Sequence, residues 1–249
     1  MIAKVPPYTT RLAQTHNDVD AAFSLRYRVF GSELGGQGAS VDQVTLRESD
    51  EFDPVADHLL LTETDSGAVI GTYRLIDQAA AKTTGRFYTE GEFDLTGLKA
   101  SGQSLLEVGR TCLDPNHRGG AAMLYLWAGL VAEVRRRKVD WVFGSGSFAG
   151  TDAAVLAPLI RLLEERFGAP AAIAPRVNLS GAMDTSAATV PDDPAKAMSM
   201  VPPLIKSYLR AGGRIGQGAY VDRALNLTDV CIVLETASAI WPPDPEARG

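Results

Sequence analysis

Five carboxylates, Glu48, Asp50, Glu51, Asp53 and Asp57, fall within ten residues around Phe52. Such a run is usually a solvated loop. This one ends directly before His58-Leu59-Leu60-Leu61-Thr62, which reads as a strand, so its side chains can be held in place and can receive an ammonium group. Arg26, Arg74 and the Glu107-x-x-Arg110 pair lie at or near the ends of other expected elements and offer complementary charges. Taken singly, a surface ion pair is the simpler account of each.

A second group suits an anion. Asn116-His117-Arg118-Gly119-Gly120 joins an expected strand to an expected helix, where free N–H groups and the helix dipole favour a phosphate and Arg118 adds a charge-assisted contact. Gly144-Ser145-Gly146-Ser147-Phe148-Ala149 fits a dinucleotide fingerprint, but it comes late in the chain and no acidic strand end follows to hold a ribose. Small residues making room beside a strand end are the preferred reading. There is no Walker loop, His-Glu-x-x-His or Gly-x-Ser-x-Gly, and the three histidines are scattered, so no metal site is expected.

The elements that must position these residues follow from periodicity. Thr15-His16-Asn17-Asp18 reads as a helix start, with Phe23, Tyr27, Phe30 and Leu34 at helical spacing, a stripe widened by Ala22, Leu25 and Val29, and a stop at Gly35-Gly36. Asp65-Ser66-Gly67 is a hairpin turn between two strands, the second running to Leu75. Leu105 to Leu113 is extended, and a helix opened by Gly119-Gly120 carries Met123, Trp127, Leu130, Val131 and Val134 on one face and closes at Arg135-Arg136-Arg137-Lys138. Trp141 to Gly144 is a short buried strand, Asp152 to Phe167 a helix, and residues 180–203 a polar loop or lid. Leu204 to Ala211 is a short helix, and Ala219 to Asp222 and Val230 to Glu235 are final strands. One α+β domain over 1–249 is expected, without repeats or a linker.

Composition narrows the class. The chain has 249 residues, and 24 Lys and Arg against 30 Asp and Glu leave a formal charge of −6, which argues against nucleic acid as a partner. No apolar run is long enough to span a bilayer, and Met1 to Pro7 lacks the apolar core of a secretory signal. Two distant cysteines, Cys112 and Cys231, predict no disulfide and a cytoplasmic protein.

Together these segments resemble the Gcn5-related N-acyltransferase superfamily. Arg26-x-x-x-Phe30, Glu48-x-Asp50-x-Phe52-Asp53, Gly71-Thr72-Tyr73-Arg74-Leu75 and Glu107-x-x-Arg110 follow the order seen in acyl-homoserine-lactone synthases. The closer resemblance is to ornithine lyso-lipid synthases, the L-ornithine Nα-acyltransferases. It is carried by Phe52 to Leu59, Phe87-Tyr88-Thr89-Glu90, Leu106 to Cys112 and Asp222 to Val230, and spans about Leu12 to Thr236.

The resemblance implies an α/β/α sandwich with a mixed, mostly antiparallel sheet. It also implies transfer of a 3-hydroxyacyl group from acyl carrier protein to the α-amine of ornithine. No cofactor is bound in such a scheme, since the acyl-phosphopantetheine is a substrate. Glu107 is the first candidate for the base that deprotonates the amine, whose pKa is ~8 or above. Arg110 completes that motif, and backbone N–H groups near Thr111 and Cys112 would hold the oxyanion. Cys112 as a nucleophile is disfavoured, because direct attack by the amine needs no acyl-enzyme. Arg26, Phe30 and Arg74 are expected in the substrate site, with Arg74 or Arg110 on the carboxylate and Asp50, Asp53 or Asp57 on the side-chain ammonium.

The donor arm is expected along Arg118, Gly119, Gly120 and Ser147. Arg118-Gly119-Gly120-Ala121-Ala122-Met123 departs from the fuller diphosphate loop of acetyl-CoA enzymes and suits a single phosphodiester. An acidic carrier protein needs a local basic patch, for which Arg135, Arg136, Arg137 and Lys138, or Lys206 and Arg210, are candidates. Peripheral contact with the cytoplasmic membrane is compatible with an amphiphilic product. The rival readings are glutamine as acceptor, an acyl-homoserine-lactone synthase using S-adenosylmethionine, and a non-catalytic carrier-protein-binding module.

Overall fold

The computed structural model describes residues 6–243 and Pro245; Met1 to Val5, most of the stretch read above for a signal, lie outside the described residues. Eight strands form the main sheet: β1 (Tyr8–Leu12), β2 (Asp57–Glu63), β3 (Val69–Asp77), β4 (Leu105–Leu113), β5 (Trp141–Ala149), β6 (Arg214–Ile215), β7 (Tyr220–Asp222) and β8 (Leu227–Glu235). Their spatial order is β1-β2-β3-β4-β5-β8-β6, with β7 also against β8. Every pair is antiparallel except β4–β5. This mixed, mostly antiparallel sheet is the one that the resemblance implies.

Helices cover both faces, including the short α2 (Gln78–Thr84) and α3 (Thr96–Ala100). On one face α4 (Ala122–Arg137), α5 (Ala153–Phe167) and α7 (Pro203–Arg210) bury Leu126, Trp127, Leu130, Leu156, Ile160, Leu163, Ile205 and Leu209 in one continuous core with Leu59, Leu61, Leu106, Val142 and Ile232 of the sheet. On the other face α1 (His16–Arg26) begins at Thr15, whose side chain accepts from the Asp18 amide in a capping box. A π-helical segment, Tyr27–Glu33, continues it, with the Leu34 amide bonding the Val29 carbonyl five residues back. The buried residues are Ala22, Leu25, Arg26, Val29 and Phe30, so the inward stripe carries a charge in its middle. On this face the apolar core is split. Leu25, Val29, Phe30, Cys112 and Leu227 form one cluster, and Phe52, Phe87, Phe93, Phe143 and Val233 form another. Polar side chains gather between the two.

Two irregularities in the sheet shape that gap. Between the pairs Arg74–Gly109 and Thr72–Cys112, β4 holds two residues where β3 holds one, a β-bulge at which Arg110 takes φ +47°. The parallel β4–β5 ladder covers only Leu105–Trp141, Leu106–Val142 and Glu107–Phe143. Beyond it, Gly144 lies so close to Val108 that a Cβ would sit 2.0 Å from the Val108 carbonyl oxygen. From there the strands diverge.

Several expectations need correction. β5 runs to Ala149, so Gly144 and Gly146 are mid-strand residues and not a nucleotide loop. Here Gly146 leaves room for Ile205 and Ile232. β1 escaped notice because only alternate residues of Tyr8–Leu12 turn inward at the sheet edge. Residues 180–203, expected as a loop or lid, contain α6 (Pro194–Met200) and place Met183, Ala197 and Val201 in the main core. Those anchors are too widely spaced to show a period. Both cysteines are free and buried, and among the described residues no helix is long and apolar enough to cross a membrane.

Candidate active site

The acidic run and the arginines meet between the two apolar clusters. Arg26 Nε donates to Glu48 at 2.5 Å, and its two terminal nitrogens donate to Asp53 at 2.7 and 3.0 Å. Arg74 Nη1 reaches Asp50 at 2.5 Å and Asp53 at 3.3 Å. Arg110 contacts Glu48 at 3.1 Å and Asp50 at 3.0 Å. Three guanidiniums thus neutralise three carboxylates. Burial would raise the Asp53 carboxyl, but hydrogen bonds from Arg26 and the charges of Arg26 and Arg74 hold it well below the usual range. At Asp50 burial is likewise outweighed, by Arg74 and Arg110.

Arg26, Asp50, Asp53, Arg74 and Arg110, all expected in the substrate site, are thus brought together and paired with one another, and removing one would leave a buried charge without a partner. Asp57 is not part of this group: it lies at the surface against Arg137, at 2.7 Å. Phe30 packs with Cys112 and Leu227 beneath the network.

Glu107 was expected to be the base. Its buried carboxylate accepts from the Tyr88 amide at 2.8 Å, the Thr89 amide at 2.9 Å and the Thr89 hydroxyl at 2.7 Å. Burial raises its pKa, and these bonds oppose the rise. Three bonds from one turn suit Glu107 to a positioning role. It clamps the turn 88–91, which lays the Tyr88 ring 4.6 Å from the Arg110 guanidinium and 5.0 Å from that of Arg74.

Beyond the paired rungs a cleft opens between β4 and β5. Val108, Thr111, Gly144, Ser145, Gly146, Leu204, Tyr208 and Ile232 form its walls. The backbone groups of β4 that face β5 leave the ladder after Glu107. The Tyr208 hydroxyl is buried without a hydrogen-bond partner, and burial raises its pKa, so it stays protonated. Cys112 points away from the cleft and burial pushes its thiol up to about 12, which excludes a thiolate nucleophile.

A third group was missed in the sequence. Glu92, Asp222 and Asp229 each offer a carboxylate oxygen within 4.8 Å of the others. Glu92 is 5% exposed and Asp229 3%. Ser145 Oγ donates to Glu92 at 2.5 Å, while Asp229 Oδ1 is buried with no hydrogen-bond partner. Burial and the neighbouring Asp229 charge push Glu92 up to about 8; burial, then the Asp222 charge, pushes Asp229 up to about 7. Glu92 lies 130 residues before Asp222 and 137 before Asp229, so no local spacing announces the group. The signal available is Asp229 itself, a carboxylate followed directly by the apolar run Val230 to Leu234 of the same strand.

The remaining expected residues fall in separate places. Gly119 and Gly120 have open space around them before α4, whose first turn has no side-chain cap. The Arg118 side chain is held by Glu33, at 2.5 and 2.8 Å, and by the Leu113 carbonyl. Ser147 stands opposite Asp229 in the β5–β8 ladder, on the acidic face and not in the cleft. Arg135 to Lys138 close the far end of α4, a 16-residue helix about 24 Å long, so they stand away from the Gly119-Gly120 turn. Arg136 pairs there with Glu133, and Arg137 with Glu133 and Asp57. Lys206 and Arg210 lie on α7, the helix that supplies Leu204 and Tyr208 to the cleft.

Residues 25–128 match the family described as the acetyltransferase (GNAT) domain. The L-ornithine N(alpha)-acyltransferase of Rhodobacter capsulatus is 44% identical over 241 residues, covering 95% of this chain and 93% of that protein. The protein of the same name from Rhizobium meliloti is 35% identical over 243 residues, covering 94% and 82%. Among solved structures, FeeM, an N-acyl amino acid synthase from uncultured soil microbes, superposes with a TM-score of 0.54 at 13% identity over 94% of this chain and 93% of its own. The CoA-dependent acyl-homoserine lactone synthase BjaI, with S-adenosylmethionine (SAM) and isopentyl-CoA, gives 0.53 at 13% identity over 93% and 85%. At that identity the two structures speak to the fold.

Proposed function

The chain belongs to the family of L-ornithine Nα-acyltransferases and is an N-acyltransferase, and we propose that it transfers a 3-hydroxyacyl group from an acyl-carrier-protein thioester to the α-amine of L-ornithine. The observation that carries this reading is the diverging β4–β5 pair, which opens a narrow cleft toward the acidic side chains of the other face. A linear acyl-thioester arm fits such a slot. Its phosphodiester would lie at the uncapped start of α4, beside Gly119 and Gly120, where free amides and the helix dipole favour an anion.

In the reaction the neutral α-amine attacks the thioester carbonyl carbon, a C–N bond forms and the C–S bond breaks. Backbone N–H groups of β4 past the bulge, released from the ladder, stabilise the oxyanion. The α-ammonium loses its proton to solvent at the cleft mouth before attack. The attacking nitrogen gives up its second proton to solvent as the adduct collapses. Tyr208, the one titratable carrier of a phenolic, carboxyl, amine or thiol proton among the lining residues, protonates the departing thiolate and is reprotonated from solvent. Lys206 and Arg210 on α7 face the carrier protein, next to the cleft its arm enters.

The test is mass spectrometry of the purified protein incubated with 3-hydroxyacyl-acyl carrier protein and ornithine, glutamine or S-adenosylmethionine separately. An amide of ornithine alone is expected. Acylglutamine alone would reassign the acceptor, and an acyl-homoserine lactone would reassign the reaction. Carrier-protein binding without any product would make the chain a binding module.

A further inference from the structure

The Arg26–Glu48–Asp50–Asp53–Arg74–Arg110 network balances its own charges, whereas the acids beside it do not balance theirs. Glu92 and Asp229 are both more than nine-tenths buried, and the oxygens of Glu92, Asp222 and Asp229 approach within 4.8 Å. Arg110, the closest arginine of the network, is already spent on Glu48 and Asp50. Asp222 Oδ1 accepts from the Ala224 and Leu225 amides and Glu92 accepts from Ser145, whereas Asp229, with the Ser147 hydroxyl beside it, has no hydrogen bond at its buried Oδ1. Buried polar atoms are nearly always satisfied, so an unsatisfied carboxylate oxygen in an acidic cluster marks the place of a missing donor, and a cationic donor suits it best.

Resting on the acceptor reading above, we propose that Glu92, Asp229 and Asp222 form the subsite that receives the side-chain ammonium of the amino-acid acceptor. The distances along β5 suit this assignment. Ser145 lines the cleft in which the thioester would be attacked, and Ser147, two residues on, stands opposite Asp229. Two residues of strand span about 7 Å. The α- and side-chain nitrogens of an extended ornithine are separated by five single bonds, about 6 Å. An acceptor with its α-amine at the cleft beside Ser145 can therefore reach toward Asp229 with its far ammonium, and Glu92, already against Ser145, stands beside that path. An ammonium offers three donors, one for each acid. Binding it ionises acids that burial otherwise holds partly protonated, so the subsite gains charge only when the cation arrives. A neutral side chain such as a carboxamide would leave the acids as unfavourable as before, which gives the site a reason to reject it.

The experiment is calorimetric titration of the full-length protein and of Glu92→Gln and Asp229→Asn with L-ornithine and with L-norvaline, which has the same chain without the terminal ammonium. The wild-type protein is expected to prefer ornithine by about 10²-fold, and each variant to lose most of that preference, as expected for one charge-assisted hydrogen bond removed. Both substitutions relieve repulsion, so melting temperatures at or above wild type will show that the fold is intact. Equal ornithine affinity in wild type and variants overturns the proposal whatever the catalytic activity. Ornithine binding that the variants weaken, in a protein that makes no acylornithine, upholds the subsite and removes the acyl-transfer reading. Metal analysis completes the test: a stoichiometric divalent ion lost on chelation together with ornithine binding would make the acids a metal site and overturn the proposal.

Discussion

Glu107 and Arg110 lie three residues apart on β4 and yet project from the same face of the sheet. Strict alternation would send them to opposite faces. The extra residue between Gly109 and Cys112 restores the parity, with Arg110 in a left-handed conformation at φ +47°. Glu107 then holds the turn that carries Tyr88, and Arg110 lies against the Tyr88 ring. One bulge thus joins the positioning residue to the charge network.

Replacing Glu107 by Gln tests that positioning role. An amide keeps one accepting oxygen and puts an NH2 group in place of the other, so either Tyr88 or Thr89 loses its acceptor. The expected outcome is a fall in kcat of about 10-fold or more with the apparent pKa of the pH–rate profile unmoved. Disappearance of a profile limb in the variant would restore Glu107 as the base.

Arg26→Met should unfold the protein more readily. It leaves Glu48 and Asp53 buried without their main partner, at a cost of about 3–5 kcal/mol. For a chain of this size that is a melting temperature lower by about 10 °C. Thermal denaturation at pH 7 measures it, and a change under 2 °C would contradict a closed network.

Stability should respond to pH through the Glu92–Asp229 pair. The folded state raises both carboxyls, to about 8 and about 7. Between their unfolded values near 4 and those folded values the native state holds more protons than the unfolded one, so stability present below about pH 4 is lost as pH rises toward 8. The ligand-free protein is expected to melt lower at pH 8 than at pH 6. A doubly substituted Glu92→Gln, Asp229→Asn protein should show a flatter dependence over that range.

Tyr208→Phe should lower kcat by about 10²-fold with little effect on KM, because the hydroxyl acts as the thiolate leaves. A more acidic thiol in the donor thioester needs no proton and should rescue the variant. Absence of rescue would assign Tyr208 to packing.

Charge reversal separates the two basic patches. Lys206→Glu with Arg210→Glu should raise the apparent KM for carrier protein at least 10-fold, whereas Arg135→Glu at the far end of α4 should not. The contrast is expected to shrink in high salt.

Much of the fold was legible because burial writes itself as period. The helix starting at Thr15, the strands on either side of Asp65-Ser66-Gly67 and the α4 stripe all appear where amphipathicity places them. Grouping Arg26, Asp50, Asp53, Arg74 and Arg110 was also within reach, since unlike charges near element ends seek one another. Their mutual closure was not, because it depends on which nitrogen meets which oxygen across 22 to 62 residues. Glu92 and Asp229 were invisible for the opposite reason: two like charges give no reason, in one dimension, to expect them side by side. Ser147 was misplaced by one face of a strand, as a short Gly-rich stretch gives no alternation from which to read orientation.

The three-rung ladder between β4 and β5 divides the sheet into two blocks, β1 to β4 and β5 to β8. The first block brings Val108 and Thr111 to the cleft, and the second brings Gly144 to Gly146, Asp229 and, through Ser145, the contact to Glu92. Every substrate would therefore be gripped across a seam fastened by few hydrogen bonds. Low local hydrogen-bond density means low local opening energy, so the amides of Val108 to Arg110 and Gly144 to Gly146 should exchange with deuterium ahead of their neighbours and slow once both halves hold a common ligand. The seam makes occupancy itself a fastener of the two blocks.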